Sequence, residues 1–357
     1  MRKLLLLPVL LLSLAVSAFS TTLDVYFIDV GQGDAILVDY GSHELLIDGG
    51  SDGTCIDTIT QYVDGYLDIV VATHPHSDHI GGLDDVIRAF DVLKVIDSGA
   101  TASSQAYESY ASAVAAERCR FEHLGRNDSF ELDDLTFEVI HPHALVGDAN
   151  EDSLVLLLTY GDVDFLFTGD IGEEAEDELL QMQCLSDIDI LKVAHHGSRY
   201  STTAAFLDVV QPELAIYSAG VGNRYGHPHS EALDRLEAAG AAILGTDKYG
   251  TIRVSTDGSS WSATDTSDAV LAIDGESNVS QCEICLSRLN DATYEDFLKV
   301  EMVSEGRATN LVEAQPFTCA SCDGAASIEA MLDDVKLIGT ILRERIARHF
   351  CPELYRD

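Results

Sequence analysis

Six residues restrict this chain more than any others: His74-Pro75-His76-Ser77-Asp78-His79, followed at once by Ile80-Gly81-Gly82. Three imidazoles and a carboxylate this close together are borderline ligands suited to divalent transition ions. The apolar run before them, 67–72, reads as a buried strand, and residues 81–88 read as a turn entering a helix. In extended chain, residues two apart point the same way, so His74 and His76 face one point. Asp78 and His79 follow where the chain turns and offer ligands to a neighbouring ion. The fold must therefore present a ligand-bearing turn at the C-terminal end of a buried strand.

The rest of the chain repeats that theme. Residues 23–30, a GQGD turn and residues 35–40 form an antiparallel hairpin, in which Leu23, Val25 and Phe27 alternate with polar or outward positions. A third strand ends at Asp48-Gly49-Gly50, with a helix expected over 55–63. Beyond the histidine cluster come a strand at 93–97, an alanine-rich helix at 103–117 and short strands near 120–124, 128–132 and 135–140. His141-Pro142-His143 is a second, weaker His-x-His. Asn150 precedes the strand 154–158, and the strand 163–167 ends in Thr168-Gly169-Asp170. The strand 188–193 ends in Ala194-His195-His196-Gly197-Ser198 and is followed by a helix at 203–209, which Ser198 and Thr202 are expected to cap. A strand at 214–218 leads to Asn223-Arg224-Tyr225-Gly226-His227-Pro228-His229, then a helix at 230–239 and a hairpin at 248–256. Two half-sheets, each covered by helices, predict a four-layer αββα sandwich.

The ends differ from this core. Residues 1–18 have a basic start (Arg2, Lys3), an apolar run and small residues near Ala18, the pattern of a secretory leader. The implied mature protein is exported and carries no membrane span, an uncleaved N-terminal anchor being the alternative. Residues 257–278 are small and polar and read as a linker. In 279–357, Cys282, Cys285, Cys319 and Cys322 form two CxxC knuckles, a structural zinc pattern that an oxidising compartment would convert to disulfides. An amphipathic helix over 327–350 would pack on this small module or pair two copies of the chain. With 61 acidic against 21 basic residues the net charge is -40, which suits a salt-rich setting and leaves no basic track for nucleic acid. A polyanionic substrate would have to be held by metal ions and local arginines.

Taken together, HPHSDH, the TGD at 168–170 and the AHHGS at 194–198 resemble the metallo-β-lactamase fold superfamily. The runs DVGQGDAILV (29–38), LLIDGG (45–50), NEDSLVL (150–156), LKVAHHGS (191–198) and NRYGHPH (223–229) are most similar to the hydrolase domain of ComEC-like proteins, here without the channel-forming membrane part. The resemblance covers residues 23–256. It implies two divalent ions, zinc or manganese: His74 and His76 on the first, Asp78 and His79 with His195 or His196 on the second, and Asp170 bridging with one oxygen for each. Asn150 stands where many members carry a histidine, so water, His141 or His143 would complete the first site. Asp48 would buttress the histidine loop. Two ions lower the pKa of shared water from about 15.7 toward about 7 and polarise a substrate oxygen. Asp78 would orient the resulting hydroxide and take its proton, and His227 or His229 would serve a developing oxyanion or the leaving group. The expected activity is hydrolysis of phosphodiester bonds, in nucleic acid, a nucleotide or a cell-surface diester. Lactone or β-lactam hydrolysis and a non-catalytic, metal-containing binding protein are the alternatives.

Overall fold

The computed structural model describes residues 21–273 apart from Asp64, Gln183 and Cys184. The leader at 1–18, the four CxxC cysteines and the C-terminal helix with its dimer lie outside the described residues. Within them, Cys55 and Cys119 are free thiols, and no helix is long and apolar enough to cross a membrane.

The first sheet uses β1 (Leu23–Phe27), β2 (Ile36–Tyr40), β3 (His43–Ile47), β4 (Tyr66–Ala72), β5 (Asp91–Asp97) and β6 (Arg120–His123). The second uses β7 (Ser129–Leu132), β8 (Leu135–His141), β9 (Val155–Tyr160), β10 (Val163–Phe167), β11 (Ile190–Lys192), β12 (Leu214–Tyr217) and β13 (Ala242–Gly245). The chain then returns to the first with β14 (Ile252–Thr256), β15 (Trp261–Thr264) and β16 (Val270–Ile273). The first sheet has nine strands in the order β16-β15-β14-β1-β2-β3-β4-β5-β6, the second seven in the order β13-β12-β11-β10-β9-β8-β7.

Away from their edge strands both sheets are buried on both faces, and period-two alternation sorts their side chains into separate cores. Val25, Phe27, Val38, Ile47 and Val71 of the first sheet meet Phe137, Leu156, Phe165, Phe167 and Ile216 of the second between the sheets. Phe27 and Phe167 stack across that interface at 6.5 Å between ring centroids. The alternate residues of the first sheet, among them Leu46, Val70 and Val95, pack under the helices Leu83–Ala89 and Gln105–Glu117. Leu166, Leu191 and Ala215 of the second pack under Glu173–Met182, Ala204–Val210 and Ser230–Ala239. The four layers are helix, sheet, sheet, helix.

Three boundaries differ from the sequence reading. The stretch read as a linker contributes β15 and β16, pairing antiparallel onto β14 as an edge ribbon. Trp261 buries its ring and donates its indole N–H to Glu213 at 3.1 Å, and Ala263 turns into the inter-sheet core. The helix expected over 55–63 shrinks to a single turn, Ile56–Ile59, after a 3-10 turn, Gly53–Cys55. At 248–256, the short helix Thr246–Tyr249 precedes β14, which makes its hairpin with β15 instead.

Parallel pairing fixes where chemistry can gather. β3, β4 and β5 run parallel, as do β10, β11, β12 and β13. Their C-terminal ends release the chain at Asp48, Thr73, Thr168, Val193 and Ser218, and ligands in such sheets bind outside those carboxyl ends.

Candidate metal centre

The histidine turn is held by backbone as well as side chains. His79 and Ile80 donate amides to the His76 carbonyl at 3.1 and 3.0 Å, opening the one-turn helix Ser77–Ile80. The Asp34 amide donates to the Asp78 carbonyl at 3.1 Å. Gly33 makes that approach possible: its φ is +140°, and a Cβ there would lie 2.2 Å from the Asp78 carbonyl oxygen.

Asp48 sits beneath the turn, buried and left-handed at φ 59°. One carboxylate oxygen accepts the Thr73 amide at 2.8 Å. The other accepts the Thr73 hydroxyl and His79 Nδ1, both at 2.7 Å. With Nδ1–H committed to a carboxylate, His79 presents Nε2 as its free ligand atom, the usual outer-shell device for orienting a ligating imidazole. His196 is oriented in the same way, with Nδ1 3.0 Å from the Ser218 carbonyl.

These free nitrogens converge on one atom, Oδ2 of Asp170. His79 Nε2 lies 3.2 Å from it, His196 Nε2 3.3 Å, His195 Nε2 3.9 Å and His74 Nε2 4.0 Å. His74 Nε2 is 3.1 Å from His76 Nδ1, and His196 Nε2 is 3.6 Å from Asp78 Oδ2. Ligands about 2.0–2.1 Å from a tetrahedral ion stand about 3.3 Å apart, so the separations of 3.1–3.6 Å match edges of a coordination polyhedron. His79 Nε2, His196 Nε2 and Asp170 Oδ1 are buried without a hydrogen-bond partner. Buried polar atoms normally have one. Nitrogen and carboxylate donors of this kind, orphaned and converging, fit divalent ions. Asp34, His79, Asp170 and His196 in particular offer ligand atoms all within 4.8 Å of one another.

Charge in the cluster is finely divided. Burial works against protonating His79, yet Asp170 and Asp48 raise its pKa well above the ordinary range. Burial likewise opposes protonation of His196, and Asp170 and Asp34 overcome it. A divalent ion would take the place of those protons, since ligand imidazoles must be neutral. Burial favours a protonated Asp170, but His196 and His79 hold its carboxyl far below the usual carboxylate range. His74 and His195 are pushed down, mainly by burial. The backbone at 195–197 stores strain: His195 and His196 both sit at positive φ, 48° and 54°, followed by Gly197 at 78°. Non-glycine residues pay about 1–2 kcal/mol each there, and such costs cluster at functional sites.

Two participants escaped the sequence reading. Asp34, the last residue of the GQGD turn, is 1% exposed and lies 3.4 Å from His196 Nδ1 and 3.7 Å from His79 Nδ1. Lys192, at the end of β11, is also 1% exposed, with its ammonium 2.5 Å from Asp34 Oδ2. A lysine interrupting an apolar strand just before two histidines is the signal that could have found it, because a buried ammonium needs an anion.

The cluster forms one wall of an open cleft of about 250 Å³, lined by Gln32, His76, Asp78, Asn150, Tyr225 and His227 among others. Asn150 reaches the cleft with its side-chain amide oxygen Oδ1 buried and unpartnered. His141 is buried with its Nδ1 3.1 Å from the Ser153 carbonyl, and His143 is exposed; neither lines the cleft. His227 faces the cleft with Nδ1 unpartnered, its pKa pushed down to about 4 by burial and by the imidazoles of His196, His195 and His229. His229 instead accepts the Arg199 amide at 3.2 Å and steadies the loop. The expected helix caps are corrected: Thr203, not Ser198 or Thr202, caps Ala204–Val210 by accepting the Phe206 amide, while Ser198 accepts the Tyr200 amide.

A sequence model described as the metallo-beta-lactamase superfamily matches residues 28–221. Among curated proteins, ComE operon protein 3 of Bacillus subtilis (strain 168) is 32% identical over 252 residues, covering 64% of this chain and 32% of that protein. Recombination protein 2 of Haemophilus influenzae is 31% identical over 235 residues, covering 64% and 28%. Competence protein ComA of Neisseria gonorrhoeae is 29% identical over 231 residues, covering 63% and 31%. The match spans about a third of the length of these relatives. Among solved structures, Igni18, a metallo hydrolase from the archaeon Ignicoccus hospitalis, aligns at TM-score 0.44 and 17% identity over 65% of this chain and 98% of its own.

Proposed function

This chain belongs to the metallo-beta-lactamase superfamily, and from that premise we propose that it is a metal-dependent hydrolase of phosphodiester bonds. The observation that carries the reading is the convergence of His74, His79, His195 and His196 on Oδ2 of Asp170 at the wall of an open cleft. His74 and His76 would hold one divalent ion, and Asp78, His79 and His196 the other, with Asp170 shared. His195, nearly a third exposed, would face the substrate side. When bound, such ions supply Lewis-acid polarisation of a phosphoryl oxygen and lower the pKa of water toward about 7.

The chain's own groups do the rest. Asp78 stays ionised, since His196 and His79 outweigh the burial that would protonate it, and its carboxylate orients the attacking water from the cleft side. His227, kept neutral at neutral pH, donates a hydrogen bond to a non-bridging oxygen or to the departing alkoxide. Asn150 and Tyr225 line the same cleft and would contact the substrate there. Relatives named for competence and for recombination lend weight to nucleic acid as the source of the diester. The leader-like residues 1–18 support action outside the cytoplasm.

The test is a substrate panel on the metal-loaded protein: bis-p-nitrophenyl phosphate and an oligonucleotide, an acyl-homoserine lactone, and a chromogenic β-lactam. Diester cleavage abolished by chelation is the expected result. Lactone or β-lactam turnover with no diester cleavage would replace the phosphodiester reading. Stoichiometric metal with an inert panel would make this a binding protein.

A further inference from the structure

The four imidazoles address only one oxygen of Asp170, and the other faces a cation. Oδ1 is buried, unpartnered by any hydrogen bond and 4.0 Å from the Lys192 ammonium. That ammonium donates to the Gly169 carbonyl at 3.2 Å, the residue immediately before Asp170, and pairs with Asp34 at 2.5 Å. We propose that Lys192 is a positioning residue, a cation built into the floor of the metal centre. It occupies Asp34 and draws Oδ1 of Asp170 aside, so that Oδ2 is the oxygen that would be offered to metal.

Three consequences follow. Asp34 stands within ligand distance of His79, Asp170 and His196 but is already neutralised, which makes it an outer support rather than a ligand. Asp170 would then offer Oδ2 alone to metal, where the family resemblance implies one oxygen for each ion. The ammonium cannot be replaced by a hydrogen-bond donor without charge, because a buried Asp34 would then lack a counter-ion and compete for the second ion.

The inference rests on the metal reading, and Co²⁺ titration followed by visible absorption separates the two. If the unaltered protein binds no Co²⁺, the metal reading fails. If it binds, the paired variant Asp34→Asn/Lys192→Met decides the present point, since it removes both charges together and keeps the interior neutral. Its Co²⁺ affinity should fall about 10–100-fold, as outer-shell losses do, with altered absorption bands and a melting temperature close to that of the unaltered protein. Asp34→Asn alone should bind Co²⁺ more weakly still, because the ammonium is left with Asp170 as its nearest carboxylate. Unchanged affinity and spectrum in the paired variant, or tighter binding by Asp34→Asn than by the pair, would overturn the assignment.

Discussion

Asp48→Asn is the sharpest perturbation available, because it changes a tautomer and almost nothing else. The position is left-handed, and asparagine tolerates that conformation as aspartate does. Its amide oxygen can still accept the Thr73 amide, and its NH2 can donate to the Thr73 hydroxyl. What it cannot do is accept from His79 Nδ1, 2.7 Å from Oδ2. His79 must then place its proton on Nε2, the nitrogen 3.2 Å from Asp170 Oδ2 that the metal reading needs bare. One hydrogen bond to a charged group is worth about 1.5–3 kcal/mol, so unfolding free energy should drop by about 2 kcal/mol. Metal affinity should fall about 10–100-fold. Isothermal titration with Zn²⁺ or Mn²⁺, paired with denaturant unfolding, measures both. A variant destabilised by that amount yet binding metal as tightly as the unaltered protein would refute the orientation argument.

His76→Ala and Asp170→Ala should each abolish hydrolysis while leaving the far-ultraviolet spectrum unchanged, because both side chains face the cleft rather than the apolar cores; full activity in either removes the site assignment. Gly33→Ala should cost about 2–4 kcal/mol, combining positive-φ strain with a Cβ 2.2 Å from the Asp78 carbonyl oxygen, and a melting temperature equal to the unaltered protein's would show the turn to be pliable. Glu176 accepts the Thr202 and Thr203 amides, yet burial pushes its pKa up to about 7 from 4.5. The folded chain thus holds this proton more tightly than the unfolded one, so the associated stability is full below about pH 4.5 and disappears as pH rises through about 7. The change amounts to about 3 kcal/mol. Glu176→Gln should remove that component from denaturant midpoints compared at about pH 5 and about pH 8, and an unaltered pH difference would contradict it.

How much of this was legible in the sequence depended on how local each signal was. HPHSDH carries its ligands on consecutive residues after an apolar run, and the alternation of strands and helices on either side of it already implied four layers. Asp170 and His195-His196 were readable for the same reason, each closing an apolar strand. Asp34 and Lys192 were not. Asp34 looks like an ordinary turn aspartate after two glycines, and only the return of β11 beside β10 brings Lys192 under it. The edge strands β15 and β16 were missed because one face of an edge ribbon is wet. Serine, threonine and aspartate fill the stretches around and between these strands, and Trp261, Ala263, Leu271 and Ala272 mark the buried side. His141 does not line the cleft, a placement that no spacing rule reveals.

Charge leads to a last prediction, about salt. A chain of net charge -40 repels a polyanion at long range, and the cations near the cleft do little to offset it. Arg199 pairs with Glu231 at 2.8 Å, Arg224 lies over the Tyr225 ring at 4.7 Å, and Lys192 is buried against Asp34. Attraction would come from ions in the cluster, which act at short range in a partly buried setting and are screened weakly. The repulsion comes from exposed carboxylates, and the Debye length shrinks from about 30 Å at 0.01 M salt to about 3 Å at 1 M. Salt should therefore remove the repulsion before it weakens the attraction. For an oligonucleotide diester, kcat/KM should rise about 3–10-fold between low and about 0.5 M salt, while a small singly charged diester should change far less. Steady-state rates across a sodium chloride series test this directly. A monotonic fall for the oligonucleotide would mean that fixed cations of the protein, rather than its bound ions, recruit the substrate.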